Sequence, residues 1–157
     1  MSMAKGYRHT QVGYVMMLSL AGAILLELGV FLGLSLWAGM SWPAFWIIIG
    51  VVLLLVVMLV LFSTLTSIVD ETTIIASFGP GLIKFSFALK DITSVKRVMN
   101  GWYYGYGVRS IRNGWLYNVS GLEAVEIALK SGRVYRIGTD EPEMLVRAIR
   151  RGMKNGV

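Results

Sequence analysis

WIIIGVVLLLVVMLVLF, Trp46–Phe62, is a run of seventeen residues without a charge, fourteen of them Ile, Leu, Val or Phe. At roughly −0.3 to −0.6 kcal/mol per such residue near a bilayer centre, insertion is favoured by about 4 to 8 kcal/mol. Seventeen residues rising about 1.5 Å each, with their flanks, match a hydrocarbon core of about 30 Å; the buried helix of a soluble domain is shorter and keeps a polar face. The run therefore reads as a transmembrane helix.

On its N-terminal side, Met1–Gln11 is a short polar tail with Lys5, Arg8 and His9 directly before an apolar segment from Val12 to about Leu36. That segment is too long for the apolar core of a signal peptide and no A-x-A-like site follows it, so it is expected to be a retained helix. The spans are placed at about residues 12–36 and 44–62. The link Trp37–Pro43, WAGMSWP, forces an antiparallel hairpin, with Pro43 suited to the first turn of the second helix. Trp37, Trp42 and Trp46 then fall at one water interface. The link has no Lys or Arg, whereas both flanks do, which predicts cytoplasmic termini and a multi-pass protein of the cell membrane.

The rest has a different composition. Residues 63–157 carry thirteen of the fifteen Lys and Arg and eight of the nine acids, a net charge of +5, in a chain of 157 residues. That is enough to close a small core separate from residues 1–62. The absence of Cys excludes disulfides and thiolate metal sites, and one His leaves little for His-based catalysis. There is no G-x-x-x-x-G-K-[ST], G-x-S-x-G or H-E-x-x-H, so neither an enzyme nor a cofactor is expected.

After Phe62 the pattern becomes short alternating runs between turn signals. Thr72–Phe78 and Leu82–Phe87 flank Gly79-Pro80-Gly81 as a hairpin, and Ile92–Val98 reads as a strand with a bulge or a preceding turn. Tyr106–Ile111 and Trp115–Val119 flank Asn113-Gly114, the dipeptide suited to the two positive φ values of a type I′ turn. Ala124–Leu129 and Arg133–Gly138 form a third hairpin about Ser131-Gly132, for about seven strands in all. A final helix follows, with Asp140 as its cap, Glu143 completing a capping box, and Leu145, Ala148, Ile149 and Met153 as its apolar stripe. The fold class is thus a membrane helical hairpin followed by an α+β domain.

The stretches DITSVKRV (Asp91–Val98), WYYGYGVR (Trp102–Arg109), GWLYNVSGLEAVEI (Gly114–Ile127) and RIGTDEPE (Arg136–Glu143) resemble the bacterial pleckstrin-homology-like (PH-like) domains found beside two transmembrane helices. The resemblance covers about Ser63–Lys154. It implies antiparallel strands closed by a C-terminal helix, on the cytoplasmic side of the membrane. Phosphoinositide-binding members of the wider class use several basic residues around the first hairpin. SFGPGLIK offers only Lys84, so no specific inositol-lipid site is expected.

Three sets of residues could carry function. Trp102, Tyr103, Tyr104 and Trp115, interleaved with Arg97, Arg109 and Arg112, have the composition of interface hot spots, against the plainer reading of core rings and rings resting on a bilayer. Glu27 is the one ionisable residue inside either span, a candidate for proton relay or for anchoring a partner helix; the plainer reading is a structural hydrogen bond. Gly22, Gly29 and Gly33 lie near one face of the first helix, with Gly29-x-x-x-Gly33 at the spacing of close helix contacts, which predicts that this face packs the hairpin. Glu27, about 160° round from Gly29, would then point elsewhere. The sequon Asn118-Val119-Ser120 would be on the wrong side for glycosylation. The expected partners are the lipid bilayer and a membrane or cytoplasmic protein or a second copy of the chain, with no nucleic acid, since the positive charge is dispersed. The expected role is a membrane-anchored, non-catalytic binding or assembly module. The alternative is a regulatory or structural subunit of a transporter or proton-coupled complex using Glu27.

The topology is testable in intact cells. A cysteine introduced as Ser41→Cys is expected to react with an impermeant maleimide from outside, and one introduced as Ser131→Cys only after lysis; the reverse pattern would invert the orientation.

Overall fold

The computed structural model describes residues 6–39 and 41–155; Lys5, part of the orientation argument, lies outside them. Two helices are long and apolar enough to cross a membrane. α1 (Tyr14–Gly33) continues through a wider π turn at Leu34–Ala38, and α2 (Trp42–Phe62) starts with Pro43 in its first turn. They form the expected hairpin, and Trp37, Trp42 and Trp46 are all exposed at its tip.

The faces of α1 are the reverse of the expectation. Apart from Ala21, its half-buried positions, Met16, Leu20, Ala23, Ile24, Glu27 and Phe31, recur every three or four residues, and Phe31 lies 5.9 Å, ring to ring, from Phe45 of α2. Glu27 is therefore on the face turned to α2. Gly22, Gly29 and Gly33 are exposed, and a Cβ on any of them would meet nothing within 4 Å. Long side chains fill the space between the helices, so their backbones do not approach closely enough to need glycine there.

The N-terminal segment is not a free tail. Tyr7–Val12 is a strand, β1, antiparallel to β2 (Thr64–Val69) in continuous register from Tyr7 opposite Val69 to Val12 opposite Thr64. Its inward residues, Tyr7, His9 and Gln11, carry polar groups, so apolar alternation could not reveal it. His9 Nε2 lies 2.6 Å from Asp140 Oδ1 and Nδ1 lies 3.4 Å from Glu141 Oε2. Burial, and after it the carboxylates of Glu141 and Asp140, push the Tyr7 phenol up to about 12. A division at Ser63 would separate this strand from the sheet it edges. Ser63, where the second part was expected to begin, directly precedes β2.

β3 (Thr73–Phe78) and β4 (Ile83–Ala88) form the predicted hairpin and complete a first sheet in the order β1-β2-β3-β4. A turn at Leu89–Asp91 and a bulge between Ile92 and Ser94 introduce β5 (Ile92–Met99). β6 (Gly107–Ile111), β7 (Gly114–Asn118), β8 (Glu123–Leu129) and β9 (Val134–Gly138) follow, in a second sheet ordered β5-β8-β9-β7-β6. The described residues thus hold nine strands in two sheets, not seven, and the sheets do not close into a barrel. The two additional strands are β1 and β2.

The second sheet is mixed, because β7 runs parallel to β9 with Gly114 beside Val134. A Cβ on Gly114 would lie 1.5 Å from the Val134 carbonyl oxygen, so glycine is required in the strand. The β6–β7 loop is accordingly Arg112-Asn113, one residue earlier than expected, and only Asn113 has positive φ, at 64°.

The core lies between the sheets. Leu65, Ile74, Phe78 and Phe87 from the first meet Tyr117, Val125, Ile127 and Ile137 from the second. α3 (Pro142–Asn155) closes one side with Leu145 and Ile149, both fully buried, and half-buried Ala148 and Met153 complete the expected stripe. Its start is held differently from the expected capping box. The Glu141 amide donates to Thr139 Oγ1, Asp140 is engaged by His9, and Glu143 by Arg97.

Both sheets meet the helical hairpin at one end. The Gly13 amide donates to the Ser63 carbonyl at 2.7 Å, and the Gly79 amide donates to that of Thr64 at 2.9 Å. A Cβ on Gly79 would lie 2.4 Å from the Val60 carbonyl oxygen, so the β3–β4 turn rests on the last turn of α2. Gly114→Ala is expected to destabilise by about 3 kcal/mol or more, since backbone must move. Gly29→Ala, in open space, should change stability by less than about 0.5 kcal/mol or gain helix propensity. Thermal unfolding in detergent, followed by near-ultraviolet circular dichroism, compares the two.

Candidate binding surface

β5 and β6 are consecutive in sequence yet stand at opposite edges of the second sheet. Residues 100–106 must therefore cross it, about 19 Å for four strand spacings of about 4.8 Å, within reach of seven extended residues. This strap, NGWYYGY, carries Trp102, Tyr103 and Tyr104 of the candidate surface. The Arg136 guanidinium on β9 donates to Asn100 Oδ1 at 3.2 Å, and Arg109 Nε on β6 donates to the Tyr106 carbonyl at 2.8 Å. Both arginines flank Leu116 of β7 in register. The strap is thus fastened at its two ends over Leu116, which is fully buried although it faces away from the main core.

The fastening continues into the sheet. Arg136 Nε donates to Glu126 Oε2 at 2.8 Å, and Lys96 Nζ lies 3.0 Å from Glu126 Oε1. Burial acts to raise the Glu126 pKa, but the hydrogen bonds from Lys96 and Arg136 outweigh it and hold it below the usual carboxylate range. The backbone N–H of Asn100, a residue only 3% exposed, also donates to the Leu122 carbonyl.

The middle of the strap is a single helical turn, Trp102–Tyr104. Trp102 is 82% exposed and Tyr103 70%. The Tyr103 ring folds over Gly101, where a Cβ would lie 2.2 Å from it, and its centroid is 4.6 Å from that of Tyr104. These rings are large, exposed and placed by contacts beneath them, the combination that lets an aromatic anchor bind a partner with little ordering cost.

The structure gathers Trp102, Tyr103, Tyr104 and Arg109 and separates the other candidates from them. Arg97 lies on the opposite face of the sheet, bound by Glu123 and Glu143, which hold its guanidinium still more firmly protonated. Arg112 is in the β6–β7 loop, at the end of the sheet away from the helices. Trp115, adjacent to Leu116 in β7, points to the opposite face and borders an open depression with Asn113, Ser131 and Arg133. Strand alternation separates these side chains even though they are close in sequence. Tyr117, two residues on from Trp115, is core, stacked 4.1 Å from Phe85.

Asn118 of the sequon is 1% exposed, its amide donating to the Gly121 carbonyl. Sequence reasoning missed Arg136, Glu126 and Asn100, because their link depends on β8 and β9 lying between β5 and β7. Among the described residues no group of three or more His, Cys, Asp or Glu is placed to hold a metal ion. Glu27 has no hydrogen-bond or ion-pair partner among them. No family model and no curated protein matches the chain.

The lowered Glu126 pKa gives the strap an acid limit with a definite sign. The stabilisation is fully present above the unfolded value, about 4.3, and is lost as pH falls through the lower folded value. Amide exchange of Trp102–Tyr104 is expected to accelerate, relative to β3, only below about pH 4. In Glu126→Gln it should be faster at neutral pH and should lose that pH dependence.

Proposed function

We propose that this is a two-span membrane protein whose sheet domain is a non-catalytic binding or assembly module on the cytoplasmic face of the cell membrane, with the aromatic strap as its binding surface. The observation that carries the reading is the strap itself. Trp102 and Tyr103 face outward while Arg136, Arg109 and the Lys96–Glu126 pair hold the strap from beneath.

The placement of the strap favours a partner close to the bilayer. It starts beside Leu122 and ends beside Asn118, and this Asn118–Leu122 segment packs on the entry to α1 through the Gln11 Nε2 bond to the Ser120 carbonyl. A partner that reaches the strap is therefore itself membrane-bound or held near the membrane. A four-stranded antiparallel sheet, a second sheet and a closing C-terminal helix support a relation to PH-like folds, with the strand number enlarged. The excess of Lys and Arg outside the link supports the cytoplasmic orientation. The proton-coupled subunit is the weaker reading, because Glu27 lies on the face that α2 covers rather than on one open to further helices.

A photoreactive phenylalanine analogue in place of Trp102, in intact membranes, is expected to give a discrete protein adduct, and in place of Arg112 none. Trp102→Ala with Tyr103→Ala should lower recovery of that same partner at least tenfold with an unchanged unfolding midpoint. Adducts to lipid alone at position 102 would overturn the binding-surface reading in favour of rings resting on the bilayer.

A further inference from the structure

The outward face of the first sheet holds a second polar constellation, assembled from strands far apart in sequence. Thr66 of β2, Ser77 of β3 and Lys84 of β4 lie opposite one another in register, and so share a face. Arg8 of β1 belongs to the same face, opposite Ile68, two residues along β2 from Thr66. These four line a depression of about 240 Å³ together with Ile68, Ile75 and the Gly79-Pro80-Gly81 turn. A volume near that of eight waters, at about 30 Å³ each, accommodates a phosphate and its oxygens.

The charge in the depression has one sign. Among the described residues no carboxylate lines it, and neither Arg8 nor Lys84 is in an ion pair. Lys84 and Ser77 meet at the turn: a Cβ on Gly81 would lie 3.6 Å from Lys84 Nζ and 3.4 Å from Ser77 Oγ. Thr66 Oγ1 is fixed by a 2.9 Å hydrogen bond to Thr10 Oγ1 and retains capacity for another partner. Two cations and two hydroxyls around one small depression suit a single phosphate, since phosphate accepts charge-assisted hydrogen bonds from Arg and Lys.

Its position selects the source of that phosphate. The turn rests on Val60 and Leu61 at the last turn of α2, so the depression opens where the chain leaves the span, at headgroup level if α2 crosses a bilayer. Leu82, 79% exposed beside the turn, adds an apolar side chain at the same level.

We propose that Arg8, Lys84, Thr66 and Ser77 form a binding site for the phosphodiester headgroup of an anionic phospholipid in the leaflet that borders the domain. The site rests on the two-span reading above. It is distinct from a polyphosphoinositide site, which would need more than two cations. Lys84 alone was visible on the first hairpin; β1 supplies the second cation.

The test uses the full chain in lipid nanodiscs of equal phosphatidylglycerol and phosphatidylcholine, with retained lipid identified by native mass spectrometry. Phosphatidylglycerol is expected to be enriched over its bulk share. Arg8→Gln and Lys84→Gln should each lower the enrichment about fivefold, the factor expected for one basic residue at an anionic surface. Arg112→Gln, at the far end of the domain, should leave it unchanged. Equal lipid retention in the double variant and the wild type would overturn the site. Displacement of the lipid by millimolar inorganic phosphate would overturn the lipid assignment in favour of a soluble phosphate. Failure of the chain to enter nanodiscs would overturn the two-span reading and this proposal together, whereas entry without headgroup preference would overturn this proposal alone.

Discussion

The pairing of β1 with β2 is the constraint on which the arrangement depends. The strands belong to segments that precede α1 and follow α2, so a ladder from Tyr7–Val69 to Val12–Thr64 fastens both outer ends of the helical hairpin to one sheet. An extended strand that enters a sheet satisfies its backbone donors and acceptors along the ladder, and this does not depend on the apolarity of its side chains. Polar β1 is retained for that reason, and its inward His9 finds its partners, Asp140 and Glu141, directly before α3. The Gly13 bond to Ser63 and the contact of the Gly79 turn with Val60 complete the joint. The domain is fixed to the hairpin at several points rather than tethered by a linker, so particular surfaces have fixed positions relative to the helices.

A second constraint follows from strand order. With β8, β9 and β7 between β5 and β6, the chain after Met99 has to cross the sheet, and the crossing segment must be fastened to it. A row of side chains on one face, Lys96, Glu126, Arg136 and Arg109, performs this, in part through the hydrogen bonds from Lys96 and Arg136 that hold the Glu126 pKa below its ordinary range against the effect of burial. The aromatic residues of the strap are then free to face outward, since Leu116 beneath fills the apolar space. The two candidate surfaces use opposite chemistry. The strap offers flat apolar area with hydroxyl and indole handles, and the outer face of the first sheet offers cations and hydroxyls.

Fastening the domain this closely to the hairpin also limits what it can reach. The β3–β4 turn, the Asn118–Leu122 segment and both ends of the strap lie at the end where the helices begin, and the β6–β7 loop with Arg112 lies at the other. The strap and the depression beside the β3–β4 turn are therefore held close to the helices, and Arg112 is held far from them.

The sequence by itself determined the elements with strong local signals. The two apolar helices, the hairpins about Gly79-Pro80-Gly81 and Ser131-Gly132, the bulged strand after Leu89 and the apolar stripe of α3 were legible, because hydrophobic periodicity and turn chemistry are local. Trp102, Tyr103 and Tyr104 stood out by composition alone, but the exposure of Trp102 and Tyr103 was decided by the fold. Only the tertiary structure decided what depends on contacts distant in sequence. It turned Glu27 toward α2 and left Gly22, Gly29 and Gly33 open, since the helix face that packs is chosen by the fit of long side chains, not by the presence of small ones. It moved the β6–β7 turn by one residue, since Gly114 was needed beside Val134. It removed Arg97, Arg112 and Trp115 from the aromatic surface, and it joined Arg8 to Lys84 across the first sheet, because strand order and facing are properties of the whole sheet that no single segment carries.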